Sequence, residues 1–153
     1  MEYQSYLASI ERHFQKSEYI SIAKTGAKMF WEPIKMRGGK KLFCFVCVGA
    51  KISGDLMKKL AKYAESINFY DSKKKNEKLS VITLFVSKSL PDKVPSICEK
   101  GVRAGSVNIF PAAFSLETQS LYLANKFPLF FSGEFNEISD FAKKNLSFKG
   151  TEE

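Results

Sequence analysis

Seven consecutive apolar residues, Leu42–Val48, lead into a basic stretch with helical spacing, Lys51–Tyr70, and a second apolar run, Val81–Val86, closes the unit. An apolar run without alternation has no solvent side, so both faces of such a strand must be covered. Strand, helix, strand in that order is the grammar of a sheet with crossover helices. The expected fold class is α/β, with a mixed central β-sheet flanked by helices. No strong catalytic motif lies on this unit.

The chain has 153 residues, 44% of them hydrophobic, which is enough for a sizeable core. We expect a single domain over 1–148 and a frayed tail at 149–153, because no repeat or linker interrupts the sequence. The 14 phenylalanines favour strands and dense packing. The formal charge is +8 and the isoelectric point is near 9.3. That balance favours acidic partners: nucleic acid, an anionic membrane or an acidic protein surface. Lysine used only for solvation produces the same balance. No apolar stretch approaches the roughly 20 residues that span a bilayer, so no transmembrane segment is expected. Met1–Ser5 is neither basic nor followed by an apolar segment of the secretory kind. Two of the three cysteines sit in the first apolar run. Reduced, buried thiols and a cytoplasmic location follow as expectations.

Tyr6, Leu7, Ile10 and Phe14 recur at helical spacing and predict a helix over Tyr3–Gln15. Tyr19–Ala23 alternates like a strand, and Lys28–Met36 reads as extended because Pro33 forbids a helix interior. Arg37–Lys40 is a turn, and the buried strand Lys41–Val48 follows as the second arm of a hairpin. Ser53 is a candidate N-cap with Asp55 in the first turn. Leu56, Leu60, Tyr63, Ala64 and Ile67 form the apolar stripe of that helix. Asp71–Lys78 is a charged loop, and Pro91 and Gly101 frame a short helix. Val107–Phe110 and Ser120–Ala124 read as strands, the latter at an edge. A closing helix over Ser132–Leu146 carries Ile138, Phe141, Ala142 and Leu146.

Several constellations invite chemical readings. Cys44 and Cys47 match the C-x-x-C spacing, but residues three apart on a strand face opposite ways, so they belong to the core. A zinc site would have to draw on Cys44, Cys47, Cys98 and His13, and no second close pair exists among them. His13 is the sole histidine, with no distinctive Ser or Cys setting nearby, and reads as a surface or half-buried structural residue. Gly49–Gly54 lies where a phosphate loop would lie but lacks the Gly-Lys-Ser/Thr ending, so it reads as loop and cap. The lysines carry more. Lys58, Lys59 and Lys62 line one helix, and Lys73, Lys74, Lys75 and Lys78 follow it. Together they form a candidate strip for nucleic-acid phosphates, weighed against a solvated lysine face. Phe127, Phe130 and Phe131 follow the last strand and, if exposed, form a partner-seeking patch.

The order helix, hairpin, buried strand, helix, strand, helix, strand over residues 3–124 resembles the restriction-endonuclease-like nuclease superfamily. In that family a hairpin strand carries an Asp, and the next buried strand carries an acid, one spacer and a Lys. These groups hold Mg²⁺ and activate water. Here Lys51 sits near the family lysine, but Gly49 stands where the acid belongs. The nearest hairpin acid, Glu32, precedes Pro33, and Glu11 on the first helix matches the extra acid of some members. The resemblance therefore implies a restriction-endonuclease-like topology that lacks its catalytic acids. Mg²⁺ is expected only if Glu11, Glu32 and Lys51 form a weak active site, and otherwise no cofactor is expected.

Three functions stay open on the sequence. One is a non-catalytic binding module of nuclease-like architecture, contacting nucleic-acid backbone through Lys58, Lys59, Lys62, Lys73, Lys74 and Lys75. Another is a protein–protein module or homo-oligomer subunit using Phe127, Phe130 and Phe131. The third is a weak Mg²⁺-dependent nuclease.

Overall fold

The computed structural model describes residues 2–14, 16–22, 25–32, 41–48, 53–72, 79–89, 102–104, 107–124 and 132–147. In chain order these form α1 (Tyr3–Glu11), β1 (Lys16–Ile22), β2 (Thr25–Glu32), β3 (Lys41–Val48), α2 (Gly54–Ser72), β4 (Leu79–Ser87), β5 (Val102–Ala104), β6 (Val107–Ser115), β7 (Ser120–Leu123) and α3 (Ser132–Asn145). The expected short helix between Pro91 and Gly101 lies outside the described residues.

Strand pairing gives one mixed sheet in the order β1-β2-β3-β4-β6-β5, with β7 also paired to β6. β1, β2 and β3 form an antiparallel meander. β3, β4 and β6 run parallel, with Phe43 beside Val81 and Val81 beside Ile109. The parallel strands are the ones whose sequences lack alternation. β4 is buried at every position from Leu79 to Val86, as a strand covered on both faces must be.

Alternation along β3 decides the layers. Phe43, Phe45 and Cys47 point to one face and pack with Leu56, Met57, Leu60, Ala61 and Ala64 of α2. Leu42, Cys44 and Val46 point to the other and pack with Tyr6, Leu7 and Ile10 of α1 and Ile138 and Ala142 of α3. The sheet is thus sandwiched between α2 on one side and α1 with α3 on the other. Leu56, Leu60 and Ala64 are buried as their spacing predicts, but Met57 and Ala61 complete the stripe while Tyr63 and Ile67 stay at its margin.

Several boundaries differ from the sequence reading. β1 begins at Lys16 rather than Tyr19, β2 at Thr25 rather than Lys28, and β4 at Leu79 rather than Val81. Two further differences shape the packing. α1 stops at Glu11 rather than continuing to Gln15. The amides of His13 and Phe14 donate to the carbonyls of Ile10 and Glu11 (2.9 and 3.1 Å), tightening the exit. Phe14 then packs against the rings of Phe30 and Phe141 at 5.2 and 5.8 Å. β6 continues through Pro111 to Ser115, where the sequence marked a stop at Phe110. β4 pairs with β6 along its whole length, so β5 and β7 share the other edge, beside Val107–Ile109 and Ala112–Ser115. The carbonyl of Pro111 accepts from the amide of Ala124 (3.3 Å) on that outer edge. A residue's N and C=O point to the same side of a strand, so the missing N–H of Pro111 falls in the gap between β5 and β7 and removes no bond to β4.

Inside β4, the hydroxyls of Ser80 and Thr83 are buried and have no hydrogen-bond partner among the described residues. A buried, unsatisfied hydroxyl costs roughly 1–3 kcal/mol. Thr83→Val keeps the shape and removes that cost, so urea unfolding should show a gain of about 1–2 kcal/mol. Unchanged or lower stability would mean that the hydroxyl is satisfied.

Candidate functional site: two basic surfaces

The outward face of α2 is the first. Ser53 caps the helix as expected, its Oγ accepting from the Leu56 amide at 3.4 Å, and Asp55 sits in the first turn against the positive end of the dipole. Burial of Leu56, Met57, Leu60, Ala61 and Ala64 against the sheet turns the intervening positions to solvent. Lys58, Lys59 and Lys62 are all exposed and span about 6 Å along the axis. Asp55 and Glu65, also exposed, bracket them, so the positive character is concentrated in the middle of the helix. Lys73, Lys74 and Lys75 lie outside the described residues, as do Phe127, Phe130 and Phe131.

The second basic surface was not legible in the sequence. Ser9, Arg12 and His13 at the end of α1 and Lys144, Asn145 and Ser147 at the end of α3 line a groove of about 370 Å³. Its walls are tied together from within. The Tyr6 hydroxyl donates to the Leu146 carbonyl at 2.7 Å, and its ring stacks on Phe114 at 3.8 Å and 7°. His13 is half-buried, past the helix end rather than on it. Nothing local joins Arg12 to Lys144; their meeting is a consequence of α1 and α3 sharing one face of the sheet.

Of the residues matched to the nuclease pattern, Glu11 is tied to the β1–β2 hairpin. The Glu11 carboxylate accepts from the Ser17 hydroxyl at 2.7 Å and lies 3.9 Å from the Lys28 ammonium. Lys28 in turn sits 4.0 Å over the ring of Tyr19, its cross-strand neighbour. Glu11 is therefore engaged along the β1–β2 hairpin, by Lys28 and by Ser17, whose cross-strand partner is Phe30. Glu32 pairs with Leu42 at the start of β3. Lys51 lies outside the described residues. Among the described residues, no cluster of three His, Cys, Asp or Glu side chains has the grouping of a metal site.

The two cysteines of β3 behave as the alternation requires. Cys44 faces α1 and α3, Cys47 faces α2, and both are free and buried. Burial pushes the Cys47 thiol up to about 12, and the Cys44 thiol higher still, with the neighbouring Cys47 adding to the effect. Such thiols are inert as nucleophiles and metal ligands at neutral pH. Burial likewise raises the Tyr3 hydroxyl to about 12 and the Tyr6 hydroxyl above its ordinary value.

No protein-family model matches the chain, and no curated protein matches it. No helix among the described residues is long and apolar enough to cross a membrane.

Proposed function

We propose that the protein is a non-catalytic binding module of restriction-endonuclease-like architecture that contacts nucleic-acid backbone through the lysines of α2. The observation that carries this reading is the exposure of Lys58, Lys59 and Lys62 on one outward helix face of a chain with net charge +8. Exposed ammonium groups on a rigid helix can approach phosphates without losing packing, and the free energy gained comes largely from released counterions. The element order supports the architecture: α1, the β1–β3 meander, α2, then β4 parallel to β3. The engagement of Glu11 by Lys28 and Ser17 supports the absence of catalysis.

Lys58→Gln/Lys59→Gln/Lys62→Gln tests the surface. Each phosphate contact contributes about 0.9 to the slope of log K against log salt on duplex DNA. The triple variant should therefore show a slope shallower by about 2–3 and affinity weakened by at least tenfold at low salt, with no change in sequence preference. An unchanged slope would remove α2 from the interface.

A further inference from the structure

We propose that the groove between the ends of α1 and α3 binds a phosphate monoester of a small polar molecule, held by Arg12 and Lys144. All six residues that line it are polar, and its volume of about 370 Å³ falls within the usual range for small-molecule sites. Such a lining offers polar tips beside aliphatic stems, which suits a small ligand carrying a charged group on a short carbon skeleton.

Cations at helix C-termini commonly serve the terminal carbonyls and the negative end of the dipole. Here several carbonyls at and near the two helix ends already have other donors. Ile10 and Glu11 receive the amides of His13 and Phe14, and Ala142 receives the amide of Leu146. Phe141 accepts from the Asn145 side chain at 3.0 Å, Leu146 from the Tyr6 hydroxyl, and Tyr6 from the Ser9 hydroxyl at 2.6 Å. Arg12 and Lys144 make no hydrogen bond or ion pair with a described residue. The acid nearest Arg12 in sequence, Glu11, is engaged by Lys28 and Ser17, and Asp140, one turn before Lys144 on α3, makes no ion pair with that lysine. Two cations without a partner among the described residues thus line one groove whose walls are joined by the Tyr6–Leu146 bond. The guanidinium offers a planar fork and the ammonium a point charge, the pair of donors that suits a dianionic phosphate. The Asn145 Oδ1, its amide nitrogen being held by Phe141, and Ser147 line the same groove beside the two cations.

This groove lies on the α1/α3 face and the proposed nucleic-acid surface on the α2 face, so the two stand independently. The test is an amide NMR titration of the full chain with glycerol 3-phosphate, with glycerol as its unphosphorylated counterpart, at constant ionic strength. Saturable shifts at Ser9, Asn145 and Ser147 are expected with the phosphate ester and none with glycerol. Arg12→Gln/Lys144→Gln should weaken binding at least about tenfold, and the α2 triple variant should leave it unchanged. Both replaced side chains are exposed, and the dispersion of the same spectra reports whether the variant is folded. Absence of saturation by about 20 mM, equal shifts with glycerol, or equal weakening in the α2 variant would overturn the proposal.

Discussion

Tyr6→Ala should remove about 4 kcal/mol of stability, a large share of the 5–15 kcal/mol that holds a typical domain together. Tyr6 has no exposed surface, stacks face to face on Phe114 of β6, and caps the end of α3 through its hydroxyl. One side chain thus joins α1, the sheet and α3. Truncation leaves a ring-sized cavity and orphans the Leu146 carbonyl at once. Tyr6→Phe separates the two contributions: it keeps the ring and loses only the hydroxyl, at a cost of about 1–2 kcal/mol. Urea unfolding of both variants measures the difference. A Tyr6→Ala loss below about 1 kcal/mol would contradict the packing of α1 described above.

Alkaline unfolding should be steep and should depend on the two cysteines of β3. Their folded-state pKa values are raised above the ordinary 9.0, Cys47 to about 12 and Cys44 beyond it, because burial penalises the thiolate. In the unfolded chain the thiols ionise near 9.0. Below that pH both states hold the protons and stability is untouched. Above it the unfolded state loses protons that the folded state keeps, so stability falls as pH rises through the window from 9 to about 12. Each thiol that stays protonated only in the folded state removes about 1.4 kcal/mol per pH unit across that window. The Tyr6 hydroxyl, also raised by burial, adds to the loss above about pH 10. Cys44→Ala/Cys47→Ala should start less stable at neutral pH, from the lost packing, yet show a shallower decline between about pH 9 and 10. Parallel declines in the two proteins, followed by thermal melts across that range, would mean that the thiols are solvated.

The elements that were legible in the sequence are those whose signal is local. β3 was placed at Lys41–Val48 because its apolar run carries its own boundaries, and the start of α2 because Ser53 and Asp55 mark a helix N-terminus. The extension of β6 was hidden because a proline in a strand is tolerated only by position, and Pro111 owes its tolerance to a gap between β5 and β7 that no short window contains. β5 is three residues long and has no periodicity to detect. The exposure of Lys58, Lys59 and Lys62 follows from helical spacing alone. The engagement of Glu11 by Lys28 does not, since it requires α1 to lie across β2. Arg12 and Lys144 are brought together only when α1 and α3 settle on the same face. Surfaces built on one helix were therefore readable, and the groove built from two was not.

The most direct measurement is a fluorescence anisotropy titration of a labelled duplex oligonucleotide with the intact protein. It should be run at two salt concentrations with Mg²⁺ present, and the oligonucleotide length checked afterwards by gel. Binding that weakens steeply with salt and leaves the oligonucleotide intact is the expected result. No binding at low salt, or cleavage that requires Mg²⁺, would contradict a non-catalytic module that reads the nucleic-acid backbone.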